Sequence, residues 1–234
     1  MAKIKVIIPA YNEEASIPLV IKAIPEIVDE VIVISNNSTD NTEINAKNAG
    51  ATVLVEQQKG YGYACLKGME YIASATQSDQ TQAPDIVVFL DGDYSDYPEE
   101  LTKIVQPIIK DNIDFVVGAR VKALREEGSM TVPQVFGNWL ATTLMKLFFR
   151  STFTDLGPFR AIKYNKLLDL KMEDKTYGWT VEMQLKALKQ KLTYKEIPVN
   201  YRNRIGVSKV SGTIKGAIFA GIKILTWIFK YSFK

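Results

Sequence analysis

Short runs of apolar residues alternate with amphipathic segments along the first half of the chain. Residues 86–91 read IVVFLD, a nearly continuous apolar run of the kind that a parallel sheet buries on both faces. Similar runs predict strands at residues 3–9, 31–35, 52–55, 86–91 and 114–119, with helices between them at residues 14–25, 39–48, 61–75 and 98–110. Strands and helices that alternate at this spacing predict a right-handed, doubly wound α/β sheet. Ligands bind such sheets at the carboxyl ends of the strands.

The pattern is less regular in the second half of the chain. It predicts a mobile polar loop at residues 121–131, helices at 133–149 and 180–191, strands at 159–163 and 192–199, and a loop at 200–212. Because no internal repeat or low-complexity linker divides the sequence, we expect one domain over residues 1–212.

The remaining residues, 213–234, predict an amphipathic helix with two possible uses. Its longest uncharged run has seven residues, far short of the roughly twenty that span a bilayer. On a helical wheel, Lys215, Lys223 and Lys230 fall on one side and most apolar residues on the other. Such a helix could lie in a membrane interface, or its apolar face could pack on the domain, and different portions could do each.

Composition excludes several kinds of chemistry. The chain has 234 residues, 47% of them apolar, with no histidine and a single cysteine, Cys65. A Ser-His-Asp triad, a Cys-His pair, a His-ligated zinc site and an internal disulfide are therefore excluded. Catalysis must use carboxylates, hydroxyls, cations or a hard metal ion. The lone cysteine and the absence of a signal-peptide pattern predict a cytoplasmic protein.

Charge is distributed unevenly along the chain. Residues 186–234 carry eleven Lys or Arg and one acid, whereas residues 1–185 carry 18 basic and 25 acidic residues. A basic tail can simply aid solubility, or it can bind an anionic partner such as phosphate or a membrane surface. We do not expect it to bind nucleic acid, since the basic loop lacks the aromatic platform on which bases stack.

The strongest chemical signal follows the fourth predicted strand, in the sequence DGDYSDYPEE. Asp91 and Asp93 place two carboxylates at the carboxyl edge of the sheet, where Mg²⁺ or Mn²⁺ could bind and take its other ligands from phosphate and water. Asp96, which stands before Pro98, is predicted to cap the next helix.

Polar segments follow the other strands as well. The first strand ends in PAYNEE, the second in SNNSTDNT, and a glycine-rich KGYGYACLKG follows the third. Each could merely form a turn or cap, but all of them would meet the carboxylate pair at one edge of the sheet. That arrangement predicts an anionic or nucleotide ligand.

Six segments, taken in order, resemble the successive signatures of family 2 glycosyltransferases of the GT-A fold. They are PAYNEE at residues 9–14, STD at 38–40, GYG at 60–62, DGD at 91–93, DLGPFR at 155–160, and the segment from Tyr201-Arg202 to Ser208-Lys209. The likeness extends from Lys3 to about Leu225 and is closest to dolichyl- and polyprenyl-phosphate sugar transferases. It implies a Rossmann-like doubly wound mixed sheet with a nucleotide-binding half at residues 1–120, an acceptor half at 121–212, and a basic C-terminal amphipathic helix at 213–234.

The resemblance also implies a donor, a nucleotide-diphosphate sugar, and a set of residues that bind it. Pro9, Tyr11 and Glu13 would line the base and ribose, and Asp91 and Asp93 would bind the metal on the diphosphate. The family commonly has an Asp where this chain has Ser35, so Asn36 or Asp40 would replace that contact, and the base could be uracil or guanine. Other residues implied to bind substrate are Lys59, Gly60, Arg120, Arg202, Arg204, Ser208 and Lys209.

The implied reaction is a direct displacement that inverts the configuration of the anomeric carbon. Asp93 is the implied catalytic residue, and it acts as a metal ligand. Cations of the 202–209 loop would clamp the phosphates of the donor or the acceptor. A lipid phosphate is largely ionised at neutral pH, so as an acceptor it needs no general base. A sugar hydroxyl does need one, and Asp155 or Glu182 would then be the candidate.

The leading hypothesis is thus a metal-dependent transferase that acts on a polyprenyl phosphate from the inner face of the cell membrane. The alternative acceptor is a saccharide or small polar molecule in cell-envelope polysaccharide synthesis. A sugar-phosphate nucleotidyltransferase would carry a glycine-rich basic loop after its first strand, where this chain has PAYNEE. A non-catalytic membrane-binding module is the remaining alternative.

Overall fold

This computed structural model of the protein describes residues 2–206 and 214–232. Within them, the strands are Ile4–Ala10 (β1), Glu30–Ser35 (β2), Thr52–Val55 (β3), Ile86–Phe89 (β4), Phe115–Ala119 (β5), Arg160–Lys163 (β6) and Tyr194–Pro198 (β7). The α-helices are Ile17–Ala23 (α1), Thr42–Asn48 (α2), Tyr61–Ser78 (α3), Leu101–Asp111 (α4), Val132–Phe149 (α5), Tyr164–Leu170 (α6), Trp179–Lys189 (α7) and Ile214–Ser232 (α8).

All the strands belong to one mixed sheet in the order β3-β2-β1-β4-β6-β5-β7. Strand β6 runs antiparallel to β4 and β5, and the other pairs are parallel. Every residue of β1, β4 and β5 is buried, as the continuous apolar runs predict. The mixed α/β sheet expected from the sequence is therefore confirmed, and the carboxyl ends of its parallel strands share one edge.

The second half contains an element that the sequence pattern did not reveal. Helix α6 is seven residues long and follows β6 without a connecting loop. The predicted loop at 121–131 includes a 3₁₀ turn, Lys122–Leu124, and leads into α5 through a capping box between Thr131 and Gln134.

Helix α5 turns large apolar side chains toward solvent. Val132, Phe136 and Trp139 are 82%, 58% and 57% exposed, and Leu147 is also exposed, whereas Met145 packs in the core. Most soluble helices show the opposite distribution, with their apolar stripe facing the core.

Helix α8 packs on the domain with only part of its apolar surface. Trp227 and Ile228 are buried against the domain, whereas Phe219, Ile222 and Phe229 are exposed. No helix among the described residues is long and apolar enough to cross a membrane.

The predicted cap at Asp96 is wrong. The 3₁₀ helix Pro98–Glu100 begins after Tyr97 and receives no side-chain cap. Asp96 is instead 1% exposed, and neither of its carboxylate oxygens has a hydrogen-bond partner among the described residues. Burial raises its pKa well above the usual range, and the nearby charge of Asp91 adds to the effect.

Candidate active site

A cavity of about 500 Å³ opens at the carboxyl ends of the parallel strands. Most of the residues predicted to bind substrate or metal line it. They are Pro9, Tyr11, Glu13, Asn36, Lys59, Gly60, Asp91, Asp93, Arg120 and Arg204. The predicted residues that do not line it are Asp40, Arg202, Asp155 and Glu182. Ser208 and Lys209 lie outside the described residues.

The carboxylate pair lies directly beyond β4. Asp91 Oδ1 is inaccessible to solvent and has no hydrogen-bond partner among the described residues. Burial and, to a smaller extent, the neighbouring charge of Asp93 raise the pKa of Asp91 to about 7. Arg204 and Arg120 act in the opposite direction, but they leave the pKa raised.

Asp93 is held by its own loop and by a distant cation. Its Oδ1 accepts a hydrogen bond from Ser95 N at 2.9 Å. Its Oδ2 lies 3.1 Å from Arg204 Nη1, and Arg204 Nη2 lies 3.2 Å from Glu13 Oε1. Arg204 thus links the carboxylates that follow β1 and β4.

These residues suit a hard divalent cation. Asp91, whose Oδ1 has no hydrogen-bond partner among the described residues, and the neighbouring Asp93 supply the oxygen ligands that Mg²⁺ and Mn²⁺ prefer. No group of three or more His, Cys, Asp or Glu side chains in the described ranges could hold a metal. A cation at Asp91 and Asp93 would thus need further ligands from a bound molecule and from water.

The wall after β1 is built by contacts with the start of α2. Glu13 N donates to Thr42 Oγ1 at 2.8 Å, and Thr39 N donates to Asn12 Oδ1 at 2.8 Å. Asp40 belongs to this framework, because its carboxylate accepts hydrogen bonds from Thr42 N and from Glu14 N. It holds the wall in place rather than facing the cavity.

Asn36, which follows β2, organises the glycine-rich segment. Its Nδ2 donates to Gln58 O at 2.7 Å, and its Oδ1 accepts from Gly60 N at 2.8 Å. Gly60 has φ +152°, and a Cβ there would lie 2.2 Å from Lys175 O. Only glycine therefore fits at this position.

Arg120 and Asp155 form a buried, bidentate ion pair. Arg120 Nε and Nη2 donate to Asp155 Oδ2 and Oδ1 at 2.8 and 2.7 Å, and Arg120 N also donates to Oδ2. Burial acts to raise the pKa of Asp155, but Arg120 overcomes this effect and holds the pKa below the usual range. Asp155 is consequently a poor proton acceptor, and it fixes an arginine that does line the cavity.

Glu182 is fully buried behind the cavity. It accepts hydrogen bonds from Glu173 N at 2.9 Å and Asp174 N at 2.8 Å, and it pairs with Lys186 Nζ at 2.8 Å. Its carboxylate is thus occupied by holding the segment that precedes α7.

Arg202 lies between two tyrosine rings instead of facing the cavity. Its guanidinium carbon is 3.7 Å from the centroid of the Tyr94 ring and 3.8 Å from that of Tyr97. Arg202 N also donates to Ser95 O at 2.9 Å. This stack fastens the loop after β7 to the loop after β4, and it thereby places Arg204 in the cavity.

Sequence reasoning missed part of the cavity lining. It is formed by Gln134 of α5, by Thr176 and Tyr177, and by Trp179 and Thr180 at the start of α7. The indole nitrogen of Trp179 is buried without a partner among the described residues. The only signal was the aromatic cluster TYGWT, which periodicity alone cannot assign to a site.

Comparison with known proteins identifies related sequences and folds. A family model described as "Glycosyl transferase family 2" matches residues 5–170. An uncharacterized glycosyltransferase of Mycobacterium tuberculosis strain H37Rv is 34% identical over 220 residues, which cover 93% of this chain and 94% of that protein.

Two further relatives have named acceptors. A UDP-N-acetylglucosamine–dolichyl-phosphate N-acetylglucosaminyltransferase of Methanococcus voltae is 29% identical over 218 residues, 84% of each chain. The undecaprenyl-phosphate mannosyltransferase of Micrococcus luteus is 26% identical over 238 residues, 96% of this chain and 93% of that one.

Among solved structures, glucosyl-3-phosphoglycerate synthase of M. tuberculosis, in complex with Mn²⁺, UDP and phosphoglyceric acid, superposes with a TM-score of 0.76. Its sequence is 23% identical, and the match covers 99% of this chain and 78% of that one. This likeness concerns the fold.

Proposed function

The chain belongs to glycosyl transferase family 2, and from this premise we propose that it moves a sugar from a nucleoside diphosphate sugar to a polyprenyl phosphate. It is a glycosyltransferase with the GT-A fold. The donor class, the acceptor and the divalent cation are the parts that we propose.

The shape and charge of the cavity support the donor. Tyr11 and Asn36, which follow β1 and β2, line the same cavity as the charged side chains of Asp91, Asp93 and Arg204. A nucleoside has a flat, weakly polar base, and a diphosphate needs cations. The solved structure of similar fold holds UDP and Mn²⁺.

The charged residues have distinct roles in this proposal. Asp91 and Asp93 would hold Mg²⁺ or Mn²⁺, which supplies positive charge that stabilises the leaving diphosphate. Arg120 and Arg204 add positively charged hydrogen-bond donors. Asp155 holds Arg120 in position and Arg202 holds the loop that carries Arg204, so these donors need not move during the reaction. The acceptor oxygen then attacks the anomeric carbon from the opposite side, so the configuration inverts and the nucleoside diphosphate leaves.

One observation favours a phosphate as the acceptor. Both carboxylates predicted as general bases are occupied, Asp155 by Arg120 and Glu182 by two main-chain amides and Lys186. A phosphate monoester is already ionised near neutral pH and needs no base. The relatives from M. voltae and M. luteus are named for dolichyl- and undecaprenyl-phosphate acceptors.

A lipid acceptor requires that the protein reach a membrane, and two helices support this. Helices α5 and α8 expose apolar side chains, and the rings of Phe148 and Phe229 join them at 5.9 Å. The sequences of the two helices contain four Lys and no acid. Apolar and cationic side chains together suit the interface of an anionic membrane, here its inner face.

The proposal is tested with radiolabelled UDP- and GDP-sugars, polyprenyl phosphate in vesicles, and Mn²⁺ or EDTA. We expect Mn²⁺-dependent label that partitions into organic solvent, and none from an Asp91→Asn/Asp93→Asn variant. Label that stays in the aqueous phase only when a saccharide is supplied would support the alternative acceptor. No transfer to either acceptor under any donor and metal would refute the proposal.

A further inference from the structure

One wall of the cavity is a loop that also touches the C-terminal helix. Residues 174–178 connect the region after α6 to the start of α7, and Thr176 and Tyr177 line the cavity. The backbone of this loop presses against the glycine-rich segment, since a Cβ at Gly62 would lie 2.0 Å from Asp174 O. Tyr63 N donates to Lys175 O at 3.1 Å.

The side chain of Asp174 contacts the loop with one oxygen and α8 with the other. Oδ1 accepts hydrogen bonds from Thr176 N at 2.7 Å and from Gly178 N at 3.0 Å. Oδ2 accepts from Trp227 Nε1 at 2.6 Å and lies 3.2 Å from Lys223 Nζ. At 2% exposure, this carboxylate is compensated almost entirely by these groups.

Trp227 is well placed to fix the helix at this point. Its ring stacks on Tyr231 at 5.5 Å, and Lys230 Nζ lies 4.2 Å from its centroid. A Cβ at Gly178 would lie 2.4 Å from Trp227 Nε1, so the indole packs directly against the backbone of the loop. Helix and cavity wall are therefore in contact through side chain and main chain.

We propose that Asp174 and Trp227 are positioning residues through which α8 sets the shape of the cavity wall, so that the affinity for the donor depends on how this helix is docked. The inference rests on the proposed function only where it names the donor. We also propose that α8 contacts the membrane. Binding of α8 to a lipid surface would therefore change the position of residues 174–178.

The test uses Trp227→Phe, which keeps an aromatic ring and removes the N–H donor together with the ring atoms that pack on Gly178. We expect the Kd for UDP or GDP with Mn²⁺, measured by calorimetry, to rise about tenfold. The KM for the donor should rise with it, while kcat changes little. Amide hydrogen exchange of Tyr63, Thr176 and Gly178 should accelerate, because the anchor of the loop is weakened.

Two further variants control the experiment. Phe219→Ala changes an exposed residue of the same helix, 61% accessible, and should leave nucleotide affinity and exchange as in the wild type. Lys223→Met removes the ion pair and keeps the indole contact. It should produce a smaller effect in the same direction, and it serves as the test if Trp227→Phe fails to fold.

The outcomes separate this inference from the proposed function. A wild type that binds neither nucleotide refutes the donor, and hydrogen exchange then still decides whether α8 sets the loop. Folded Trp227→Phe and Lys223→Met proteins with wild-type exchange at residues 174–178 would overturn the inference. Unchanged nucleotide affinity with accelerated exchange would overturn its functional part.

Discussion

Several charged residues of the site fix the positions of other charged residues. Asp155 orients Arg120, and Arg202, stacked on Tyr94 and Tyr97, carries Arg204 to Asp93. In each case a buried charge finds its partner on a distant segment of the chain. Replacing one member should therefore affect stability and substrate binding together.

Asp155→Asn tests whether this residue positions Arg120 or accepts a proton. As a positioning residue, its loss leaves the Arg120 charge uncompensated, and we expect the free energy of unfolding to fall by about 3 kcal/mol. The turnover number should drop, but the decline of the rate at low pH should be the same as in the wild type. Urea unfolding and a pH–rate series check this, with Arg120→Gln and the double variant to measure the coupling.

A variant with wild-type stability and a changed acidic limb would instead make Asp155 the general base. In the double variant, we expect a smaller loss of stability than the sum of the single losses, since neither charge is then left alone.

Asp96→Asn tests the buried carboxyl that has no hydrogen-bond partner within residues 2–206 and 214–232. Because burial raises its pKa in the folded protein, folding favours the protonated form. The Asp96 carboxyl contributes fully to stability below the pKa that it has in the unfolded chain. As the pH rises from there toward its pKa in the folded protein, the free energy of unfolding falls by at most about 1.4 kcal/mol per pH unit.

The asparagine variant has no proton to lose, so its free energy of unfolding should decline less between about pH 5 and pH 8 and exceed that of the wild type at the upper end. Urea titrations in EDTA measure this. Asp111→Asn, on an exposed carboxylate, is the control. Parallel curves for wild type and Asp96→Asn would contradict the assignment.

At the scale of elements, α5 and α8 are the exceptions to ordinary packing. Their apolar spacing was visible in the sequence, but periodicity cannot tell which neighbours exist to cover each face. The domain covers Trp227 and Ile228 of α8 and leaves Phe136 and Trp139 of α5 in solvent. Large exposed apolar patches are typical of interaction surfaces.

Replacing both Phe136 and Trp139 by Ser should weaken binding to anionic vesicles. Each large apolar side chain contributes about 1.5–3 kcal/mol when buried, so we expect the affinity to fall by roughly a hundredfold or more. Vesicle flotation measures it. Ile44→Ser removes an equally exposed apolar residue on α2 and should bind as the wild type does.

Retained flotation by the double variant would remove α5 from the membrane contact. A change in oligomeric state, seen by size exclusion without vesicles, would show that this face contacts a second copy of the chain.

The whole molecule gathers its site from loops that are far apart in sequence. Glu13 follows β1, Asp93 follows β4, and Arg204 follows β7, so a ligand that contacts all three binds only the folded chain. Such a ligand raises the melting temperature by mass action.

Mn²⁺ and UDP together should consequently raise the melting temperature more than either alone. In Asp93→Asn the increase that depends on Mn²⁺ should disappear. Without ligand, the variant should melt below the wild-type temperature, because Arg204 loses its 3.1 Å ion pair with Asp93. Differential scanning fluorimetry measures both. An undiminished Mn²⁺ effect in Asp93→Asn would place the cation elsewhere.

The sequence by itself determined the sheet and the edge at which chemistry occurs. Continuous apolar runs such as IVVFLD are local signals, and polar residues directly after them lie at the carboxyl edge in any parallel sheet. For this reason Glu13, Asn36, Asp91 and Asp93 could be predicted to converge, and they line one cavity.

Only the tertiary structure decided which charged groups face the ligand and which support their neighbours. Asp155 and Arg202 belong to recognisable motifs, but sequence spacing does not reveal their partners. Asp155 pairs with Arg120, and Arg202 stacks between two tyrosine rings. The link from Trp227 to Asp174 spans 53 residues and was equally invisible. Pairing of buried charges depends on three-dimensional proximity, whereas burial of strands follows from local hydrophobicity.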